Sequence, residues 1–269
     1  MTLSHISELR PFLSALGASP KKSLSQNFLV EENVVEKIVH LADIQPGDTV
    51  LEIGPGAGAI TEKLLQRGAH VLAVEKDRKL AASLKRLPNL EIYEEDILTF
   101  PLEKIPPNTK IVSNLPFHLT SPILARFVTE PDTISQLTVL LQEEMARRIL
   151  ASPSTSDYSS LTLFLKFYAT TTKHTRVSRH CFYPKPKVDA TLLTLTPHRP
   201  PPIPPEPFFT LVRTAFQQRR KALTSSLSSL YPKETLLEAL VSLSLDPKAR
   251  PETLSLPSFL SFFQKLTKN

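Results

Sequence analysis

A loop with three glycines at alternate positions follows an apolar run and an acidic residue, as E-I-G-P-G-A-G at residues 52–58. Glycine lets the backbone turn tightly and approach a ligand where a Cβ would collide, which we expect at Gly54 and Gly56. A dinucleotide site needs G-x-G-x-x-G to set a pyrophosphate on a helix N-terminus. Here the third glycine comes one position early, as in adenosylmethionine-binding sheets. The spacing therefore predicts a site for S-adenosylmethionine.

Acidic residues end the next two predicted strands. Glu75, about twenty residues after Gly54, can accept hydrogen bonds from both ribose hydroxyls of a cofactor. Asp96, after the third strand, can accept from an adenine amino group. Each acid alone could be a solvated strand end, but open α/β sheets bind ligands at the carboxyl ends of their strands, so with the glycine loop they predict cofactor contacts. Glu52 either holds a water near the methionine amine or caps the loop.

The sequence N-L-P-F at residues 114–117 ends a fourth predicted strand. An exocyclic adenine amine is a poor nucleophile, and the side-chain oxygen of Asn114 with a backbone carbonyl beside Pro116 can hold both of its protons. No ionised base is needed, because the amine sheds its proton after attack on a cationic methyl donor. Phe117 can stack on a base swung out of its helix or loop. Asn114, Leu115, Pro116 and Phe117 therefore predict methyl transfer to adenine; the alternative is a plain turn with a buried phenylalanine.

Strand-like and helix-like runs alternate in the part of the chain that must position these residues. The predicted strands are 49–53, 70–74, 90–93, 110–114 and 136–141, with two more near 169–177 and 188–196. Predicted helices cover 31–43, 60–68, 78–87 and about 159–168. The alternation predicts the α/β class: a Rossmann-like class I methyltransferase sheet with helices on both faces, followed by a small C-terminal helical domain.

Residues 198–207 contain six prolines, through which neither helix nor sheet can continue. This segment predicts a linker between an S-adenosylmethionine-binding methyltransferase domain, residues 1–197, and a helical RNA-binding domain, residues 208–269. Within the latter, residues 208–230 and 234–245 have helical spacing.

Composition limits the function classes. The chain has 269 residues, of which 41% are hydrophobic, enough for one large and one small domain. Its net charge of +6 favours an anionic partner without separating RNA from DNA or a membrane. A single cysteine, Cys181, excludes an intrachain disulfide, and nothing in the sequence requires a metal. No run approaches the roughly 18 to 20 apolar residues of a membrane span, and the N-terminus lacks a secretory pattern, so we expect a cytoplasmic protein.

The sequence closely resembles the ribosomal RNA small-subunit adenine dimethylases over nearly the whole chain. The segments that carry the resemblance are 26–29 (Q-N-F-L), the glycine loop, N-L-P-F, 182–193 (FYPKPKVDATLL) and 211–223 (LVRTAFQQRRKAL). The resemblance implies S-adenosylmethionine-dependent dimethylation of the N6 amines of two adjacent adenosines in the 3′-terminal hairpin of 16S ribosomal RNA. The substrate would be this RNA in a partly assembled 30S particle, during small-subunit biogenesis.

The resemblance also implies roles for individual residues. An N-terminal lid motif, residues 18–30, would close over the cofactor with contacts from Asn27 and Leu29. Gly54, Glu75, Asp96 and Asn114 fall on the family's remaining cofactor positions. We expect six basic residues to form a track for RNA phosphates: Lys185, Lys187, Arg213, Arg219, Arg220 and Lys221. For Arg219, Arg220 and Lys221 a solvated helix face is the alternative on spacing alone, and the resemblance favours RNA.

Three positions depart from the family pattern. The family often has tyrosine where this chain has Phe117, asparagine where it has His118, and glycine where it has Ser25. The first change keeps a stacking face and loses a hydroxyl, and we interpret His118 as a loop residue. None of these changes removes a group that the chemistry needs.

Two other functions remain open at this point. A large-subunit ribosomal RNA adenine methylase of the antibiotic-resistance type shares the glycine loop and N-L-P-F, although the match through QQRRKAL and PKPKVD argues against it. A nucleic-acid-binding assembly or transcription factor could keep the fold without the reaction, although an intact N-L-P-F favours catalysis.

Overall fold

The computed structural model describes residues 5–267, so the outermost parts of the two predicted domains, residues 1–4 and 268–269, lie outside the described residues. The chain divides into two compact units, and each is built from two separate stretches of sequence.

The first unit contains the residues up to Ala146 together with Ala169–His198. Its strands are β1 (Phe28–Leu29), β2 (Thr49–Ile53), β3 (His70–Val74), β4 (Leu90–Tyr93), β5 (Thr109–Asn114), β6 (Ile134–Gln142), β7 (Ala169–Val177), β8 (Phe182–Tyr183) and β9 (Ala190–Pro197). Seven of them form one sheet in the order β4-β3-β2-β5-β6-β9-β7, and β1 pairs with β8. Strands β2 to β6 are parallel to their neighbours among themselves, whereas β9 is antiparallel to both β6 and β7. The α/β fold class predicted from the sequence is confirmed.

The central strands are buried on both faces. Val50, Leu51, Glu52 and Ile53 of β2 are all buried, although successive side chains of a strand point to opposite faces of a sheet. Such a run indicates that both faces are covered, as is usual for parallel sheets. The helices of this part of the chain are α1 (Ile6–Ala15), α2 (Glu32–Leu41), α3 (Ala59–Gln66), α4 (Arg78–Leu84), α5 (Thr120–Val128) and α6 (Glu143–Leu150), the last of which contains the boundary with the second unit.

The second unit contains Arg147–Tyr168 together with the residues from Arg199 onward. Its further helices are α7 (Ser160–Tyr168), α8 (Pro205–Gln217), α9 (Leu223–Ser226), α10 (Lys233–Ser242) and α11 (Leu256–Thr267). Aromatic rings form its core: the Phe167 ring lies 5.3 Å from that of Phe208 and 5.0 Å from that of Phe209. These rings join α7 to α8, because large buried aromatic surfaces contribute strongly to packing energy.

The structure divides the chain differently from the predicted ranges 1–197, 198–207 and 208–269. Helix α8 already begins at Pro205, inside the predicted linker, because proline is tolerated in the first turn of a helix, where its missing N–H needs no partner. Residues 147–168 pack with the helices that follow the prolines, since the rings of α7 are buried there.

Candidate active site

One cavity of about 200 Å³ lies in the first unit, at the carboxyl ends of the parallel strands. Every residue predicted for cofactor binding or methyl transfer lines it: Asn27, Leu29, Gly54, Glu75, Asp96, Asn114, Leu115, Pro116 and Phe117. The parallel strands explain this convergence, because their carboxyl ends meet at one edge of the sheet.

The glycine loop turns from β2 into α3 with a backbone that other residues rarely adopt. Gly54 has a φ of 66° and Gly56 a φ of 61°, both in the left-handed region that favours glycine. A Cβ on Gly54 would meet nothing within 4 Å, so this position is open to the cavity, whereas a Cβ on Gly56 would lie 3.2 Å from the ring of Phe28. The loop therefore lets the chain pass close beneath whatever occupies the cavity.

Glu75 is held in place by main-chain donors. Its Oε2 accepts from the N–H of Gly56 at 3.0 Å, and its Oε1 accepts from the N–H of Asp77 at 2.8 Å. Burial raises the pKa of this carboxyl group above its ordinary value. Each carboxylate oxygen has a second lone pair, so the fixed group can still accept from two further hydroxyls.

Asp96 is ion-paired at the same end of the sheet. The Nζ of Lys76 lies 2.8 Å from its Oδ2, and the N–H of Leu98 donates to its Oδ1 at 2.9 Å. The hydrogen bond from Lys76 is the main reason that the pKa of Asp96 lies below its ordinary value. Sequence reasoning missed Lys76, because a lysine beside a strand-end acid reads as a solvated charge.

Glu52 is the most deeply buried acid of the cavity, with 1% of its surface exposed. Its Oε2 has no hydrogen-bond partner among the described residues. Burial, with the nearby Glu75 carboxylate, raises the pKa of Glu52 to about 8. The raised pKa favours the protonated carboxyl group, a form that can donate a hydrogen bond toward the cavity.

Asn114 presents an unused acceptor. Its Nδ2 donates to the main-chain carbonyl of Asn27 at 2.9 Å, while its Oδ1 is buried without a hydrogen-bond partner among the described residues. Leu115 follows as a buried residue, and the carbonyl of Pro116 accepts from the N–H of Leu119 at 2.9 Å. A buried polar atom without a partner is rare in folded proteins, so Oδ1 marks where a ligand donor fits.

Phe117 and His118 begin a short 3₁₀ turn, residues 117–119, that leads into α5. Phe117 is partly buried at the cavity wall, and His118 is exposed. The Nδ1 of His118 lies 2.9 Å from the Oγ of Ser25, whose φ of 50° is in the left-handed region. This φ explains the glycine that the family usually has at this position, and two departures from the family pattern thus contact each other.

The predicted lid segment is anchored by its own strand. In β1, Phe28 pairs with Tyr183 and Leu29 with Phe182 of β8, and Leu29 is buried. Asn27 precedes the strand and donates from its Nδ2 to the carbonyl of Ser25 at 3.0 Å. The segment from residue 23 to residue 29 therefore forms one wall of the cavity.

The basic residues predicted to bind RNA differ in their surroundings. Lys185 and Lys187 are exposed on the loop between β8 and β9 of the first unit. In the second unit, the Nη2 of Arg213 lies 2.6 Å from Oε1 of Glu206 on the exposed surface of α8. Arg220 and Lys221 are exposed and form no ion pair within residues 5–267.

Arg219 has an internal role. Its Nε lies 2.6 Å from Oε2 of Glu252, and its guanidinium also donates to the main-chain carbonyls of Thr155 and Ser156. The helix expected across residues 208–230 is interrupted at this point: α8 ends at Gln217 and a turn precedes α9. The basic run therefore combines a structural arginine with two exposed cations.

No group of three or more His, Cys, Asp or Glu side chains within residues 5–267 could hold a metal ion. Among the helices of the same residues, none is long and apolar enough to cross a membrane.

A family model described as ribosomal RNA adenine dimethylase matches residues 17–268. The sequence is 49% identical over 272 residues to ribosomal RNA small subunit methyltransferase A of Protochlamydia amoebophila, covering 97% of this chain and 96% of that relative. It is 44% identical over 275 residues to the protein of the same name from Chlamydia muridarum, covering 99% of both chains.

Solved structures give the same picture. A dimethyladenosine transferase from Plasmodium falciparum matches with a TM-score of 0.78 and 26% identity, covering 90% of this chain and 98% of that one. The 23S rRNA methyltransferase ErmE matches with a TM-score of 0.70 and 29% identity, covering 90% of this chain and 100% of that one. The identities to these two structures are lower than those to the two curated relatives, whose names refer to the small ribosomal subunit.

Proposed function

We propose that this chain, which belongs to the ribosomal RNA adenine dimethylase family, dimethylates the N6 amines of two adjacent adenosines in the 3′-terminal hairpin of 16S ribosomal RNA, with S-adenosylmethionine as methyl donor. The observation that carries this proposal is the buried, unpartnered Oδ1 of Asn114, which lines the same cavity as the acids at the strand ends. An adenine amine is a donor that fits such an acceptor.

The residues around the cavity fit S-adenosylmethionine. Glu75 would accept from the ribose hydroxyls and Asp96 from the adenine amino group, while Gly54 leaves open space for the cofactor. Asn27 and Leu29 would cover it from the lid. When bound, S-adenosylmethionine supplies a methyl group on a cationic sulfur, and the carboxyl of Glu52 lies at the same end of the sheet for its polar methionine part.

Two acceptors would orient the target amine. The Oδ1 of Asn114 would take one N–H, and the main-chain carbonyl of Leu115 would take the other, since the carbonyl of Pro116 is engaged by Leu119. Holding both protons turns the nitrogen lone pair out of conjugation with the ring and toward the methyl donor. This alignment replaces a general base, and positioning of this kind contributes a large part of the rate in bimolecular reactions.

Phe117 would capture the base. Its partly buried ring stands at the cavity wall directly after the amine acceptors, where one face can stack on an extruded adenine. Base–aromatic stacking contributes about 1 to 3 kcal/mol for each base. Aromatic capture therefore offsets part of the energy of unstacking the target nucleotide.

The RNA backbone would be held by exposed cations. Lys185 and Lys187 in the first unit and Arg220 and Lys221 in the second are exposed and suited to phosphate contacts. We place the reaction on a partly assembled 30S particle in the cytoplasm, since two adjacent adenosines must still be accessible and the family's relatives are small-subunit enzymes.

The test is methyl transfer from labelled S-adenosylmethionine to isolated ribosomal subunits that lack the modification. We expect label on the small subunit, with two dimethylated adenosines near the 3′ end of its RNA when the modified bases are mapped. Label on the large subunit would instead indicate the activity named for ErmE. Cofactor binding without transfer to either subunit would indicate an assembly factor.

A further inference from the structure

Asp77 is a buried acid that contacts Glu75, the lid and the start of α4. It follows β3 with 2% of its surface exposed. Its Oδ1 accepts from the N–H groups of Lys79 and Leu80, at 3.0 and 3.5 Å, and so caps the N-terminus of α4. Its own N–H donates to Glu75, as described above. A helix cap needs only one of the two carboxylate oxygens, which leaves Oδ2 for another purpose.

The second oxygen holds the lid segment. The Nζ of Lys21 lies 2.8 Å from Oδ2 of Asp77, and the Nε2 of Gln26 donates to the same oxygen at 3.3 Å. These two lid residues also bind each other, because the main-chain N–H of Lys21 donates to Oε1 of Gln26 at 2.8 Å. These contacts therefore hold a closed turn, residues 21–26, and part of this turn lines the cavity.

The electrostatics favour an ionised Asp77 in this position. Burial alone would raise its pKa, but the hydrogen bonds from Lys21, Gln26 and the N–H of Leu80, together with the charge of Lys21, outweigh burial, and the pKa lies below its ordinary value. A buried carboxylate that loses its cationic partner is strongly destabilised, so the lid in its closed position and the ionised acid stabilise each other.

We propose that Asp77 is a positioning residue that holds the lid, residues 18–30, closed over the cavity and thereby slows the release of the cofactor. The inference rests on the proposed use of S-adenosylmethionine. The main-chain N–H of Asp77 binds Glu75 on the ribose-binding side of the cavity, while its carboxylate would hold the cover of the cavity in place. Cofactor release would require the contacts of Lys21 and Gln26 with Asp77 to open.

The alternative is that Asp77 serves only as the cap of α4. Asp77→Asn separates the two roles, because asparagine caps helices as well as aspartate does and keeps the acceptor Oδ1. In place of Oδ2 it sets an NH₂ group against two donors, Lys21 Nζ and Gln26 Nε2. Lys21→Ala opens the same contact from the lid side and leaves the cap untouched, so it serves as the second variant if Asp77→Asn folds poorly.

Asp48→Asn is the matched control. Asp48 also lies 2.8 Å from a lysine Nζ, that of Lys110, and also accepts a main-chain N–H, that of Gln45, at 2.8 Å. It precedes β2, at the opposite end of the strand from the cavity, and does not line the cavity. It therefore reproduces the loss of an ion pair and an acceptor without touching the lid.

Two measurements test the proposal on the full chain. Amide hydrogen exchange of residues 21–29 is followed without cofactor, and the dissociation of labelled S-adenosylmethionine is followed after addition of excess unlabelled cofactor. We expect Asp77→Asn and Lys21→Ala to accelerate exchange in the lid and to speed dissociation about tenfold, the change that follows from removal of one charge-assisted hydrogen bond. Asp48→Asn should change neither.

The outcomes separate this proposal from the proposed function. Unchanged lid exchange in both variants would overturn the role of Asp77 in holding the lid, and faster exchange with unchanged dissociation would overturn its control of release. If the unmodified protein binds no S-adenosylmethionine, the proposed function fails, and with it the role in release, while lid exchange still reports whether Asp77 holds the segment.

Discussion

The side-chain amide of Asn114 donates to the main-chain carbonyl of Asn27 at 2.9 Å, across 87 positions of the sequence. The contact fixes the orientation of the amide, because a flipped side chain would set its oxygen against the carbonyl oxygen. Oδ1 is therefore directed away from the lid as the free acceptor. A residue of the proposed lid thus fixes the orientation of the amide that we propose as the acceptor for the target amine.

Asn114→Ala should reduce methyl transfer by about a hundredfold or more, because the amine loses the acceptor that aligns it. RNA affinity should survive, since phosphate contacts dominate it. Digestion of the RNA and mass spectrometry of the nucleosides measure transfer, and filter binding measures affinity. Full dimethylation by this variant would exclude the proposed role of Oδ1.

Asn114→Asp is the companion variant, because it keeps an acceptor oxygen but loses the donor to Asn27. Its second oxygen would face the carbonyl of Asn27, so we expect slower transfer and a weaker hold on the lid. Wild-type rates for Asn114→Asp would mean that the contact with the lid is dispensable.

Phe117→Tyr should be tolerated and Phe117→Ala should not, because any aromatic face supplies the stacking worth about 1 to 3 kcal/mol. After the first transfer only one N–H remains to be held, so the second round depends more on stacking. Phe117→Leu should therefore accumulate monomethyladenosine. The ratio of monomethylated to dimethylated adenosine gives the test. An unchanged ratio would rule out a greater dependence of the second transfer on stacking.

Glu75→Ala should weaken S-adenosylmethionine binding strongly, since it removes two charge-assisted hydrogen bonds to the ribose at about 1.5 to 3 kcal/mol each. Titration calorimetry measures the affinity. Glu91→Ala, which alters an exposed acid of β4 outside the cavity wall, is the control and should bind normally. Equal affinities of the two variants for S-adenosylmethionine would show that Glu75 does not bind the ribose.

The raised pKa of Glu52 predicts how the free energy of unfolding depends on pH. Its pKa of about 8 in the folded protein lies above the ordinary 4.5, so the folded state binds more protons between these values and the free energy of unfolding falls as pH rises from about 5 to 8. Urea unfolding at a series of pH values should show a shallower decline for Glu52→Gln. Asp48→Asn should shift the curve evenly over this window, because the ordinary pKa of Asp48 in the unfolded chain, 3.8, lies below the window and its pKa in the folded protein is lower still.

Substitutions in the basic run at residues 219–221 should have two different effects, one on RNA binding and one on the stability of the fold. Changing Arg220 and Lys221 together to alanine should weaken RNA binding and flatten its salt dependence by about 0.7 to 0.9 log units for each phosphate that is no longer bound. Arg219→Ala should instead lower the free energy of unfolding by about 1 to 3 kcal/mol, since Glu252 and two carbonyls lose their donor. A salt slope that moves only with Arg219 would reverse the assignment.

Much of the sheet could be predicted from local pattern. The predicted strands 49–53, 70–74 and 90–93 have the same bounds in the structure, because short runs rich in apolar residues between turn residues are characteristic of strands. The strand ends then carried Gly54, Glu75 and Asn114 to one cavity, since parallel strands share their carboxyl edge.

Contacts between distant segments could not be predicted in this way. The spacing of apolar residues along the chain does not predict the hydrogen bond from Asn114 to Asn27. It also does not predict the ion pair by which Lys76 keeps Asp96 ionised. Asp77 did carry a local signal, an N-cap residue directly before the helix at residue 78, but its second partner, Lys21, lies in another element. Arg219 looked like its basic neighbours because Glu252 lies 33 positions further along.

The divided sequence of the helical unit has a consequence for synthesis on the ribosome. Helix α7 emerges before α8 exists, so the rings of Phe164 and Phe167 have no α8 to pack against while β7 and β9 are already available to complete the sheet. Domains generally fold in the order in which they emerge from the ribosome. Until the later domain has folded, its exposed apolar surface can bind chaperones or cause aggregation. A nascent chain whose residues up to His198 have left the ribosome would therefore present a finished sheet together with an aromatic helix that is not yet buried.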